Sequence, residues 1–410
     1  MLTLRYTQSD YSPAADRIRT LGLPLTFTMR HFRRQFLRIC PALLIGVLSV
    51  AHLLSQQTAG SFEDLKRRAE QAHQAGKTEE QVSLYRKAVT LRPAWGEGWW
   101  YLGTGLYELR RYSEAITAFQ RLSRVDTKDG RPYALMGLCE FQLRRYSSAL
   151  QNFFRAEQLG TGDNREMALT IRYHIAILLS RSGQFEWARD TLASFAWIGD
   201  VSPPIIEAVG INTLRMPILP SEIPAEKRDL IIRAGQASWE PYLSGHPEQS
   251  ETIFRELVAQ YPKEPNLHYA YGARLLDTDP EAALREFQKE LEINPTQVVA
   301  RVQIVFLNLK QGEPEKALPV AREAVRLAPD YFLAHNALGR VHLALGQIAP
   351  AVQELETAVR LTPQSPENHF DLAEAYRAAG RKADAAKEMA EFERIKKLRE
   401  RPASPTETAQ

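Results

Sequence analysis

Cysteine is nearly absent from this 410-residue chain, which has only Cys40 and Cys139. Two cysteines cannot build a thiolate metal site or a disulfide framework. Catalytic signatures are missing as well. There is no H-E-x-x-H, no G-x-x-x-x-G-K-[ST], no G-x-S-x-G and no C-x-x-C. The zincin, phosphate-loop, nucleophile-elbow and dithiol readings fall with them. Long apolar runs are also lacking. The longest, Pro41 to Leu54, is broken only by Ser49 and His52 and is short of the ~20 residues of a membrane span. A strong charge of one sign is absent too. The chain has 52 basic and 49 acidic residues, a net +3. Residues 1–60 hold seven arginines and two aspartates, which leaves the remainder slightly acidic. A body so balanced carries no nucleic-acid footprint.

No acidic residue occurs between Arg17 and Phe62. Met29 opens a basic run with Arg30, His31, Arg33, Arg34 and Arg38. The apolar stretch follows, and then small residues at Thr58, Ala59, Gly60 and Ser61. This order is that of a secretory signal peptide. Residues 29–60 are therefore expected to be a signal peptide, with a retained signal anchor as the alternative. Residues 1–28 read as an upstream extension, with Met29 a candidate start. Cys40 precedes the apolar run, the wrong side for a lipoprotein anchor.

Beyond the leader the chain repeats. Trp99, Leu102 and Gly103 are followed by Ala115 and Phe119, across two apolar-periodic segments joined at Arg110-Arg111-Tyr112-Ser113. Large residues fill the space between two helices, and Gly103 and Ala115 let the backbones approach. The string Leu-Arg-Arg-Tyr-Ser occurs at 109–113 and again at 143–147, and Pro295, Pro329 and Pro363 recur at the same interval. Each proline falls just past a helix. Similar units start near Phe62, Gly130 and Leu169. The register fails between Asp200 and Arg228, where Pro203, Pro204, Pro217, Pro220 and Pro224 stand. Ile205 to Leu214 reads as one short helix, and Arg215 to Pro224 as an extended, partly apolar loop. Periodicity returns at Leu230, with glycine at 272, 312, 339, 346 and 380. Glu391, Glu393, Arg394, Lys396, Lys397 and Arg399 give the last helix the polar face of a cap.

On the W-x2-L-G, A-x3-F and 34-residue pattern the chain resembles the tetratricopeptide repeat family. The resemblance implies an all-α, right-handed superhelical solenoid of helix-turn-helix repeats in two blocks. Repeats 1–4 occupy 61–199, an irregular proline-rich connector 200–228, and repeats 5–9 with a capping helix 229–398. Residues 399–410 form a tail. Arg110 and Arg144 replace the usual turn glycine, so those turns are expected to be strained or differently shaped. The resemblance also implies a concave groove that binds a protein or peptide. Carried over position by position, its lining is Trp100, Tyr107, Phe141 and Tyr173, then Gly235, Trp239, Tyr242, Tyr269, Phe306, Asn336, Arg340 and Phe370. Asn336 with Arg340 is the polar anchor of an otherwise aromatic surface. The competing reading packs many of these aromatics between adjacent helices.

Three other features have bland readings. His335, His342 and His369 could ligate a metal, but His335 and His369 take the family's Trp position and read as packed interhelical residues. Cys139 reads as a small buried hydrophobe. The glycines at 96, 98, 103 and 105 lack the preceding strand that a phosphate loop needs. The resulting expectation is a non-catalytic interaction scaffold without metal or cofactor, exported to the periplasm or beyond. It touches membrane only through residues 29–60 if these are uncleaved. A membrane-anchored assembly or chaperone-like factor is the alternative, and an enzyme accessory subunit a third reading. N-terminal sequencing of the mature protein should find a start near Ala59 to Ser61. A start at Met1 or Met29 in a cytosolic chain would remove the export reading.

Overall fold

The computed structural model describes residues 61–243 and 247–399. The expected leader and nearly all of the tail lie outside them. Among the described residues there are nineteen α-helices and no strand, as expected of an all-α repeat solenoid. The chain forms two compact units that divide between Ile171 and Arg172. The proline-rich stretch, expected to separate two repeat blocks, therefore lies wholly inside the second unit.

The first unit contains α1 (61–74), α2 (Thr78–Leu91), α3 (Gly96–Glu108), α4 (Tyr112–Val125), α5 (Arg131–Gln142) and α6 (Tyr146–Leu159). The division falls within α7 (Arg165–Arg181). Tyr85, Phe119 and Phe153 fill the unit and are 0% exposed. Close backbone approach makes this packing possible. A Cβ on Gly103 would stand 2.4 Å from the Phe119 ring, and one on Gly137 2.7 Å from the Phe153 ring. Cys139 is buried, and burial with the Glu140 charge pushes its thiol up to about 12. It is the packed hydrophobe that the sequence suggests.

The second unit continues with α8 (Phe185–Ala196), α9 (Pro203–Thr213), α10 (Arg228–Leu243), α11 (Pro247–Gln260), α12 (Leu267–Leu275) and α13 (Pro280–Ile293). It ends with α14 (Val298–Lys310), α15 (Pro314–Leu327), α16 (Phe332–Ala344), α17 (Ile348–Leu361), α18 (Pro366–Ala378) and α19 (Lys382–Arg399). The hairpin rule recurs: a Cβ on Gly272 would meet Phe287 at 2.8 Å, and one on Gly339 would meet Leu355 at 2.6 Å. The proline-rich stretch is not an open linker. Pro203 and Pro204 sit in the first turn of α9, where a missing N–H costs nothing. Leu214, Leu219 and Ile223 are buried, and Leu214 and Ile223 pack with Leu230, Ile231 and Phe254 in one core. α9 lies directly on α10. A Cβ on Gly210 would be 1.9 Å from the Ile231 carbonyl oxygen, and one on Gly235 2.2 Å from that of Ile206. Gly235, expected to line a groove, is thus covered by α9.

The arginine turns have the ordinary shape. Arg110 has φ 58° and Arg144 φ 57°, beside φ 74° at Gly312 and 68° at Gly346. The same bond closes each: Arg111 N–H donates to Leu106 O and Gln347 N–H to His342 O, both at 2.8 Å. The turn geometry is therefore kept, and the arginine side chains bear the steric cost of the left-handed region. Arg110→Gly and Arg144→Gly should each raise stability by about 0.5–1 kcal/mol, the left-handed penalty less the entropy glycine loses on folding. Denaturant melts of the single variants check the sign.

The Trp position has a common bonding rule. Trp99 Nε1–H donates to Pro93 O at 2.8 Å, six residues back. His268, His335 and His369 turn Nε2 to the carbonyls of Pro262, Pro329 and Pro363 at 3.2, 2.8 and 3.0 Å. Their Nδ1 atoms face Glu286, Glu354 and Glu388 at 2.5, 2.6 and 2.6 Å. A carbonyl only accepts, so Nε2 carries a proton. An ionised carboxylate only accepts too, so a ring facing one is bound most tightly when both nitrogens carry protons. No group of three ligands able to hold a metal occurs among the described residues.

Burial is the largest single effect at His268 and opposes protonation, but the Glu286 bond and charge together with the Pro262 carbonyl outweigh it and raise the pKa. At His335 the Glu354 bond raises it against burial. Burial likewise disfavours the Glu286 carboxylate, yet His268 and Lys289 hold its pKa below the usual value. Raised histidine pKa values give stability that is complete below about pH 6.5 and is lost as pH rises through the folded values. The lowered Glu286 value gives stability that is lost as pH falls below ~4.5. The melting temperature should therefore decline from pH 6 toward pH 9, and Glu354→Gln should flatten that decline. A melting temperature that rises over this range would contradict the imidazolium assignment.

Candidate functional site

The second unit contains a cavity of about 470 Å³. α9 helps to build it. The helix ends with Arg215 in the left-handed region, φ 49°, and the guanidinium turns back toward α8. Arg215 Nη1–H donates to Glu186 Oε1 at 2.8 Å, and the group lies 4.7 Å from the Phe185 ring and 5.8 Å from the Tyr269 ring. Asn212 Nδ2–H donates to the Phe185 carbonyl at 2.8 Å and ties α9 to the start of α8. Trp239 on α10, Tyr269 and Arg274 on α12, Val302 and Gln303 on α14, and Tyr331 before α16 complete the wall. Trp239 Nε1–H is held by the Asp200 carbonyl at 2.9 Å.

The electrostatics are those of a sheltered, partly apolar site. Burial raises the Tyr269 phenol pKa, with Arg215 opposing. Burial also raises that of Tyr331, with Glu186 adding to the effect. Both phenols stay neutral donors. Three arginines, at 189, 215 and 274, and one carboxylate, Glu186, reach the wall. Such a volume, with aromatic side chains beside several polar ones, lies within the size range of small-molecule pockets.

Of the residues expected from the sequence, the cavity brings together Trp239 and Tyr269. The Tyr242 side chain lies outside the described residues. Tyr173 is half-buried and packs edge-on against His174 at 5.5 Å. Phe306 lies under the Arg340 guanidinium at 5.0 Å. Asn336 is buried, and its Nδ2 donates to Asn368 Oδ1 at 3.2 Å and to Asp371 Oδ2 at 2.8 Å. Its amide therefore clasps α18. Phe370 is 41% exposed and leans on Phe392. In the first unit, Trp100 lies 5.4 Å from the Arg131 guanidinium. Tyr107 packs on Tyr112 at 5.4 Å and Phe141 on Tyr146 at 5.7 Å, each across an arginine turn. Sequence reading missed Glu186, Arg215, Arg274 and Tyr331. Arg215 sits in a stretch without register. A polar pair such as Arg274 and Glu251 carries no periodic signal.

A family profile described as tetratricopeptide repeat matches residues 102–164, 307–366 and 336–405. With its repeated helical hairpins, the chain is a tetratricopeptide-repeat protein. No curated protein matches it. Among solved structures it is similar to MamA from Desulfovibrio magneticus RS-1 (residues 41 to the end), at 21% identity and TM-score 0.37, over 41% of this chain and 96% of that one. It is also similar to a thermophilic TPR protein from Thermus thermophilus, at 23% identity and TM-score 0.33, over 38% and 86%. The cavity wall from Phe185 to Gln303 falls outside every stretch that the family profile matches.

The cavity is built on the Arg215 turn. Arg215→Ala should loosen the α8–α9 link at Glu186 and lower stability by about 1 kcal/mol. Denaturant melts against the wild-type protein, at an unchanged helical signal, check this; an identical midpoint would mean that the Arg215–Glu186 bond does not hold the turn.

Proposed function

We propose that this scaffold holds an extended protein segment in the cavity of its second unit. A tetratricopeptide array is a protein-interaction scaffold, and its partner is a protein or peptide. The single observation that carries the finer reading is the sheltered wall of Trp239, Tyr269 and Tyr331 with arginine beside it. Aromatic and arginine side chains dominate binding energy when desolvated. The half-exposed aromatics of the first unit, Trp100, Tyr107 and Phe141, are candidates for a second stretch of contact. So are Phe306 and Phe370 in the second unit. With the body near neutral, affinity comes from apolar contact and hydrogen bonds more than from long-range charge. We propose also that the scaffold works outside the cytoplasm, on the strength of the basic, apolar and small-residue order of residues 29–60.

A photo-crosslinking amino acid at Ala273, an exposed residue of the cavity wall, should capture the partner. The same group at Arg322, an exposed residue of α15 outside that wall, should not. Tyr331→Ala should weaken binding by about 2 kcal/mol or more, as an anchor does, with little change in melting. Equal capture at both positions, or binding lost only in step with melting, would remove the cavity reading and leave the tyrosine a packing residue.

A further inference from the structure

The cavity wall contains a guanidinium that makes no hydrogen bond. Arg274, in the last turn of α12, has a side chain 18% exposed. Among the described residues none of its N–H groups makes a hydrogen bond, and Nε is sealed from solvent as well. Its nearest carboxylate, Glu251 Oε1, stands 3.6 Å from Nη2 and already accepts from Thr278 Oγ1 at 3.0 Å. That separation is an ion pair without a hydrogen bond. The other cations of the wall are engaged. Arg215 bonds Glu186 at 2.8 Å, and Arg189 bonds its neighbour Asp190 at 3.1 Å. A guanidinium carries five donors in a planar fork. Buried polar groups are nearly always bonded, and an exception calls for an explanation. Here the cavity has room for one.

We propose that Arg274 is the receptor for a carboxylate, carried on an acidic side chain in the interior of the bound segment. This deepens, and rests on, the reading that the cavity takes an extended segment. The planar fork matches a carboxylate in two parallel bonds. Glu251, so close to the guanidinium, repels a dianion more than a monoanion, which favours a carboxylate over a phosphate group. The position favours a side chain over a chain end. Along the chain α12 is flanked by other contributors to the wall, α8, α9 and α10 before it and α14 and Tyr331 after it, so the wall continues beyond Arg274 in both directions of the sequence. The apolar wall residues Trp239, Phe254 and Val302 suit apolar residues beside the acid. This recognition belongs to the part of the chain that departs from the regular repeat, since Arg274 lies outside the matched stretches.

The test uses the full chain and a bead-bound library of random decapeptides, acetylated and amidated, beside a second library with free C-termini. Wild-type protein should select Asp or Glu at one interior position. Replacing that acid by its amide should weaken binding at least tenfold. The same replacement should change binding less than twofold in Arg274→Gln, because the receptor is gone. Arg274→Lys, which keeps the charge and loses the fork, should fall between. Since Arg274 makes no hydrogen bond in the free protein, Arg274→Gln and Arg274→Met should melt within a few degrees of wild type. Selection without an acidic residue would overturn the carboxylate receptor and leave the segment reading standing. An acid preference that survives Arg274→Gln would overturn it too, as would binding confined to the free C-terminal library. A fall in melting temperature above about 10 °C would mean that the side chain already holds the fold, and counts against the proposal. If neither library yields a retained peptide, both this inference and the segment reading fall.

Discussion

In four hairpins of this chain, one helix meets the next at a glycine, a residue too small to hold it away. Gly103 lies under Phe119, Gly137 under Phe153, Gly272 under Phe287 and Gly339 under Leu355. A side chain at any of these glycines would overlap its neighbour, and overpacking of this kind is destabilising by ~1–3 kcal/mol. The close approach seals the large residue inside the hairpin, yet leaves an apolar flank that only another hairpin can cover. Repetition is the result. Most of the turns that fold a hairpin back pass through the left-handed region, even where arginine stands in place of glycine, while the turn between α12 and α13 does without it. Topology here outranks the preference of one residue.

The same close approach, misapplied to the regular order, builds the site. At α9 and α10 the glycines Gly210 and Gly235 face backbone carbonyls instead of side chains. The two helices therefore press together and α9 takes the place that a groove would occupy. Its end brings Arg215 back to Glu186 and opens the wall in which Arg274 stands unbonded. The departure from periodicity and the candidate binding site are one structural event.

Much of this was legible beforehand, and the reason is physical. Period and spacing record which residues share a helix face, so the hairpins, Gly103, Phe119 and Cys139 could be read directly. The histidines at the Trp position could be read as packed, but not their partners. The carboxylates of Glu286, Glu354 and Glu388 come from the second helix of each pair and leave no mark in a one-dimensional pattern. The candidate site was read only in part. Trp239 and Tyr269 were found because they occupy repeat positions. Arg215 and Arg274 were not, because the first follows prolines that erase the register and the second is defined by hydrogen bonds it does not make. Asn336 illustrates the converse. A polar residue at a groove position looks like an anchor until Asn368 and Asp371 claim its amide.

The proposed place of the partner segment is the cavity where the repeat register breaks. Hydrogen exchange of the full chain, alone and saturated with a segment it retains, addresses this directly. The account predicts slowed exchange concentrated in α8, α12 and α14, with the helices α15 and α17 unchanged. Slowing confined to α3 and α5, with α12 unaffected, would contradict it.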